Sequence, residues 1–111
     1  MPVTEITSHE ELEEIASRPD RVAVIDFWAP WCIPCTRISP VFEAKSNEEN
    51  RIDFYKVNVE DVPFPEDSQF QIASLPAFKA YKGKTLLDSL VGAYPDKLNE
   101  MIVQVATNHA V

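Results

Sequence analysis

The 111-residue chain contains no long uninterrupted apolar segment. A membrane-spanning helix needs about 20 consecutive apolar residues, and every hydrophobic run here is far shorter. The first five residues carry neither the basic region nor the apolar core of a secretory signal. We therefore expect no membrane segment and, unless a presequence has been removed, an intracellular protein of the cytoplasm.

Basic residues are scarce, because 10 Lys and Arg stand against 18 Asp and Glu and give a formal net charge of −8. The phosphates of nucleic acids and the surface of an anionic membrane would repel such a chain. We therefore expect neither nucleic acid nor membrane among its partners. The acidic surface is compatible with simple solvation and also with a partner that presents a basic patch.

Residues with sulfur or imidazole ligands are also few: the chain has two cysteines, Cys32 and Cys35, and two histidines, His9 and His109. A tetrahedral zinc site needs four ligands. The histidines lie near opposite ends of the chain, so we expect no metal site within it. Both histidines are expected to be exposed to solvent.

The cysteines form the motif Cys32-Ile33-Pro34-Cys35, placed where an apolar run gives way to a predicted helix. Two thiols three positions apart at such a junction can close a small, reversible disulfide. Free N–H groups and the dipole at a helix start favour a thiolate, which makes Cys32 the expected nucleophile. Because a permanent disulfide is unusual in a reducing compartment, the motif indicates redox chemistry. An inert buried pair and half of a metal site are the alternatives.

Hydrophobic patterning predicts an α/β fold. Strands are predicted over residues 3–6, 22–28, 52–59, 77–81 and 86–91, and helices after Ser8, over residues 32–47 and from about residue 95. Residues 61–71 are predicted to form a loop leading into a short helix. Gly83 is expected at the turn of a hairpin between the last two strands. A parallel portion followed by a hairpin and a helix indicates one domain over residues 1–111, with a mixed central sheet and helices on both faces.

The first helix carries a predicted capping box. The Ser8 hydroxyl is expected to accept the Glu11 backbone N–H, while the Glu11 side chain reaches back to the start of the helix.

Several further motifs surround the cysteine pair in a definite order. Residues 24–32 read Val-Ile-Asp-Phe-Trp-Ala-Pro-Trp-Cys, and Pro34-Cys35 and Pro40 follow. Residues 75–78 read Leu-Pro-Ala-Phe, and residues 91–93 read Val-Gly-Ala. Together these motifs resemble the thioredoxin family over about residues 3–105. The chain departs from the family's commonest Gly-Pro dipeptide at Ile33-Pro34, and residues 62–65 are richer in proline than the family pattern.

The resemblance implies a thioredoxin fold and a protein-disulfide reductase. Cys32 and Cys35 would cycle between dithiol and disulfide through a mixed disulfide with the target. Protein disulfides would be the substrates and a thioredoxin reductase the electron donor, with no cofactor beyond the cysteine pair and with a monomeric chain. A disulfide oxidase or isomerase and a non-catalytic interaction module are the alternatives.

Asp26 interrupts an otherwise apolar strand, and desolvation would raise the pKa of a carboxyl group in that setting. The resemblance implies that Asp26 helps to deprotonate Cys35, and that Lys56 lies close to Asp26. The alternatives are an aspartate that faces water from an edge strand and a solvated lysine.

The resemblance also implies a recognition surface for substrates. It implies a cis peptide bond before Pro76, whose neighbouring backbone would bind an extended substrate segment. A flat apolar surface would surround Cys32 and would be formed by Trp31, Ile33, Pro34, Leu75, Gly92 and Ala93. A buried core position is the alternative for Trp31, whereas Trp28 is expected to pack in the strand.

Overall fold

A five-stranded sheet and three helices make up the regular structure of the computed structural model, which describes residues 2–110. The elements in chain order are β1 (Val3–Ile6), α1 (His9–Ser17), β2 (Ala23–Trp28), α2 (Ile33–Glu48), β3 (Asp53–Asn58), β4 (Ala77–Lys82), β5 (Thr85–Val91) and α3 (Pro95–His109). The strand order is β1-β3-β2-β4-β5. β3 lies parallel to both β1 and β2, whereas β4 is antiparallel to β2 and to β5. The predicted mixed sheet is therefore confirmed.

The central strand β2 is almost entirely buried because the sheet is covered on both faces. Successive side chains of a strand point to opposite faces. Val24 accordingly joins one core cluster, with Ile38 of α2 and Ile102 of α3. Ile25 joins the other, with Leu12 of α1. Helices thus cover both faces, as predicted, and no helix in residues 2–110 is long and apolar enough to cross a membrane.

β4 and β5 form the predicted hairpin, and its turn is fastened to the end of α1. Gly83 has φ +57° and Lys84 has φ +73°, the left-handed conformations that a two-residue hairpin turn requires. The Gly83 N–H donates to the Arg18 carbonyl and the Lys84 N–H donates to the Ala16 carbonyl, each at 2.8 Å. These bonds fix the hairpin against the helix.

The prediction of a short helix near residues 61–71 is wrong, because residues 59–76 contain neither helix nor strand. Pro63 and Pro65 lack a backbone N–H and disfavour helical geometry in the residues before them. The segment is instead held by side chains that enter the core, notably Val62 and Phe70, and by a turn in which the Ser68 N–H donates to the Pro65 carbonyl at 3.0 Å.

The cap of α1 differs in one detail from the predicted box. The Ser8 Oγ accepts the Glu11 N–H at 3.1 Å, as expected. The Glu11 carboxylate, however, accepts the Thr7 N–H at 2.8 Å, one residue before the predicted cap. The outcome is similar, because a side chain still satisfies a backbone donor at the helix entrance.

Candidate functional site

The sheet topology brings three sequence-distant segments to one end of the molecule. Phe27, near the carboxyl end of β2, pairs with Ala77 at the start of β4, and Ala77 pairs with Val91 at the end of β5. Cys32 follows β2, Pro76 precedes β4 and Gly92 follows β5. All three therefore lie at the same end of the sheet, although up to 60 residues separate them in the sequence.

Cys32 is the N-cap residue of α2 and forms a disulfide with Cys35, with their Cα atoms 5.3 Å apart. The Cys35 backbone N–H also donates to Cys32 Sγ at 3.2 Å. Both residues are buried, with 4% of Cys32 and 2% of Cys35 exposed. They form a small apolar cluster with Ala29, against which Leu75 and other half-buried side chains pack. Pro34 lies in the first turn of α2, where proline is well tolerated.

Asp26 is buried in β2, with 4% of its surface exposed, and this excludes the alternative of an aspartate that faces water. Its Oδ1 atom has no hydrogen-bond partner among residues 2–110. Burial raises the pKa of the Asp26 carboxyl group to about 7, and the positive charge of Lys56 partly opposes this rise. Lys56 is the register partner of Asp26 on β3. Asp26 is thus a carboxyl group that can exchange a proton near neutral pH.

A cavity of about 250 Å³ is bordered by both predicted proton-transfer residues and by one of the two cysteines. It is lined by Asp26, Trp28, Cys35, Thr36, Ser39, Pro40 and Lys56. The cavity therefore brings Cys35, Asp26 and Lys56 together, as the resemblance implied.

The prediction from sequence did not include Trp28, Thr36, Ser39 or Pro40 in this site. The signal was present, because Trp28 is two residues after Asp26 in a strand and so shares its face. Ser39 is likewise one helical turn after Cys35. Trp28 is half-buried, with Lys56 Nζ 5.9 Å from its ring centroid, which makes it a wall of the cavity.

Exposed apolar side chains border the cysteine pair. Trp31 is 65% exposed and Ile33 is 70% exposed, so Trp31 is a surface residue as predicted and not a core tryptophan. Pro34 is exposed beside them. Large exposed apolar groups in one place are typical of protein-binding surfaces.

The Leu75–Pro76 peptide bond is cis, as predicted. Pro76 is buried and its carbonyl accepts the Gly92 N–H at 2.9 Å, which joins two of the predicted binding segments. Gly92 has φ +106°, and a Cβ atom there would overlap the ring of Tyr94. Ala93 is only half-buried, and it packs against the core under α3.

An open groove of about 480 Å³ lies next to Trp31. Trp31 and Leu75 line it together with the segment after β3, including Val62, Phe64 and Phe70. The prediction from sequence missed this wall because the segment lacks a periodic pattern.

The histidines differ from each other. His109 is exposed, as predicted, but the His9 side chain is only 14% exposed, so its predicted exposure is wrong. His9 Nε2 lies 2.7 Å from Ser68 Oγ. Within residues 2–110, no three Cys, His, Asp or Glu side chains are grouped so that they could hold a metal ion.

Comparison with known proteins identifies relatives over nearly the whole chain. The thioredoxin family model matches residues 3–104. The thioredoxin of Malassezia sympodialis is 39% identical, covering 89% of this chain and 94% of that protein. Thioredoxin 1 of Plasmodium falciparum is 37% identical, covering 91% of this chain and 95% of that protein. A solved structure of Plasmodium falciparum thioredoxin, 35% identical, superposes with a TM-score of 0.83 over 91% of this chain and 97% of the solved chain.

These matches and the disulfide-forming cysteine pair agree on one class of function. They favour neither a disulfide oxidase or isomerase nor a non-catalytic module. The protein is a thiol-disulfide oxidoreductase that reduces protein disulfides. The chain belongs to the thioredoxin family.

Proposed function

We propose that Cys32 is the attacking thiol of the reductase and that Cys35 is the resolving thiol. The observation that carries this assignment is the position of Cys32 at the N-cap of α2, where the Cys35 N–H donates to its sulfur at 3.2 Å. A donated N–H and the positive end of the helix dipole both stabilise a thiolate. Cys35 lies within the first turn and has no comparable donor at its sulfur among the bonds of this turn.

The cycle consists of two thiol-disulfide exchanges. The Cys32 thiolate attacks one sulfur of a target disulfide, forms a mixed disulfide and releases the other target sulfur as a thiolate that takes up a proton. The Cys35 thiol then loses its proton and attacks Cys32 Sγ, which closes the Cys32–Cys35 disulfide. The second target sulfur leaves and is protonated. The target gains two electrons and two protons, and the pair itself carries these electrons without a further cofactor.

Asp26 accepts the proton of Cys35 in the second exchange. This role is supported by the cavity that Asp26 shares with Cys35. The cavity has a volume of about 250 Å³, which is large enough for water to relay a proton. A pKa of about 7 leaves a substantial fraction of the carboxyl group free to accept a proton at neutral pH. Lys56 assists by favouring the carboxylate form.

The target polypeptide docks on the apolar surface around the pair. Trp31, Ile33 and Pro34 would contact it on one side. The groove beside Leu75 would take the extended chain that precedes or follows the target cysteine. The Pro76 backbone and Gly92, which a hydrogen bond joins, would also contact the target.

A thioredoxin reductase is the electron donor in this proposal, and a single domain spanning residues 1–111 performs the reaction as a monomer in the cytoplasm. A monomer keeps the apolar surface open to partners. Both cysteines of the chain belong to the reactive pair, which suits a reducing compartment. The net charge of −8 opposes binding to nucleic acid or to an anionic membrane.

Reduction of insulin disulfides, coupled to a thioredoxin reductase, tests the proposal. The wild-type protein should turn over many times, and Cys32→Ser should abolish turnover because no thiolate remains to begin the exchange. Turnover by wild type with chemical dithiols but not with any reductase would contradict the proposed donor. Full activity of Cys32→Ser would contradict the mechanism.

A further inference from the structure

The groove beside Trp31 has a wall formed by an irregular segment of the chain. Residues 59–76 contain neither helix nor strand, yet they supply most of the groove lining, including Phe64 and Phe70. A segment of this kind loses backbone entropy when it is held in one conformation. Specific side-chain contacts must therefore keep the two phenylalanines in place.

Phe27 of β2 packs against both rings from beneath the sheet face, and His9, the first residue of α1, contacts both from the side of the helix. The His9 ring centroid lies 5.6 Å from that of Phe64 and 5.9 Å from that of Phe70. Its Nε2 lies 2.7 Å from Ser68 Oγ, and the same hydroxyl oxygen accepts the Phe70 N–H at 3.1 Å. His9 thus touches both groove phenylalanines and the serine between them.

Both ring nitrogens of His9 are used in this arrangement. Nδ1 lies 3.5 Å from Glu13 Oε1, one helical turn further on. Nδ1 thus faces this carboxylate, and Nε2 faces the Ser68 hydroxyl, which also accepts the Phe70 N–H. A buried hydroxyl without this partner would lose a hydrogen bond.

We propose that His9 is a positioning residue for substrate recognition. It holds the half-buried Phe64 in the groove wall, against the buried Phe70, and in this way it sets the affinity for protein substrates without acting on the cysteine pair. The inference rests on the proposed function, in which the groove receives the polypeptide around the target disulfide.

The test compares a protein disulfide with a small one that does not fill the groove. In His9→Ala, the KM for insulin should rise about fivefold, the factor expected for loss of one neutral hydrogen bond. The kcat for insulin, the rate with cystine and the equilibrium of the cysteine pair with glutathione should all stay within about twofold. His9→Gln, whose amide can still reach Ser68, should restore most of the insulin KM. His109→Ala, at the exposed end of α3, is the matched control and should leave every value unchanged.

An unchanged insulin KM in folded His9→Ala would overturn the proposal, and so would an equal loss with insulin and cystine. If His9→Ala does not fold, Ser68→Ala removes the same hydrogen bond from the side of the segment and must show the same selective rise in KM. An unchanged insulin KM in Ser68→Ala would also overturn the proposal. A wild-type protein that reduces cystine but not insulin would contradict the proposed function instead.

Discussion

At the scale of single residues, Asp26 is the side chain most at odds with its surroundings. It lies in the most buried strand, and one of its oxygens has no hydrogen-bond partner among residues 2–110. Ionising such a carboxyl group costs free energy. Departures from the rule that buried charges are paired are expected at functional sites, and the cavity that Asp26 shares with Cys35 supports the proposed role of Asp26 in proton transfer.

Asp26→Asn should therefore stabilise the fold in a pH-dependent manner. The pKa is raised from 3.8 to about 7, so the folded protein binds more protons than the unfolded chain between these values, and wild-type stability falls as pH rises through this range. The Asn variant lacks this loss. Its stability relative to wild type should grow by on the order of 3 kcal/mol between pH 4 and pH 8, while insulin reduction slows.

Chemical denaturation of both proteins at several pH values measures this difference. Asp88→Asn, on the edge strand β5, is the matched control for an Asp→Asn change outside the cavity. A constant stability difference for Asp26→Asn across the range would mean that Asp26 is not desolvated, and its proposed role in proton transfer would be lost.

Gly92→Ala should destabilise the protein more than Gly83→Ala. Both glycines have positive φ, but only at Gly92 would a Cβ atom overlap a neighbouring ring, that of Tyr94. We expect a loss of about 1 kcal/mol at Gly83 and about 2 kcal/mol or more at Gly92. Only the Gly92 variant should impair insulin reduction, because relief of the overlap would shift the backbone whose N–H donates to the Pro76 carbonyl. Equal losses in unfolding free energy in the two variants would show that the Tyr94 ring moves aside at little cost.

At the scale of elements, the sequence predicts regular structure well where the apolar pattern is periodic. The predicted range 32–47 agrees with α2 to within one residue, and the Gly83 turn accounts for the hairpin. Residues 59–76 could not be predicted, because their conformation depends on contacts with residues distant in sequence. His9 is the example: its neighbours Phe64 and Ser68 are more than 50 positions away.

The first turn of α2 carries the family departure at Ile33, which is 70% exposed next to Cys32. We expect Ile33→Gly to gain activity with a generic thioredoxin reductase, because an exposed side chain at the docking surface is removed. The reduction potential should move by less than about 30 mV, which corresponds to ~1.4 kcal/mol for a two-electron couple.

Ile33→Ala separates the two effects of this substitution. Alanine removes the side chain but keeps helix propensity, whereas glycine costs about 1 kcal/mol more in a helix interior. Both variants should gain with the reductase if Ile33 governs recognition. A large shift in potential for Ile33→Gly alone, with unchanged reductase kinetics, would show that Ile33 tunes the couple.

At the scale of the whole molecule, the apolar surface is concentrated where the chemistry takes place. Of the six large hydrophobic side chains that are exposed in residues 2–110, four are Trp31, Ile33, Val91 and Tyr94. All four belong to the segments that the strand register brings to one end of the sheet. The rest of the chain carries a strong acidic excess, with a net charge of −8 overall. An acidic surface with one apolar end suits a protein-disulfide reductase that binds protein substrates at that end.

Trapping of a mixed disulfide tests the central claim most directly. Cys35→Ser should attack a target disulfide through Cys32 but should be unable to resolve the product. Incubation with insulin followed by mass spectrometry under non-reducing conditions should therefore reveal a covalent adduct on Cys32. Cys32→Ser should give none. An adduct with Cys32→Ser and none with Cys35→Ser would reverse the assigned roles and contradict the account of the site.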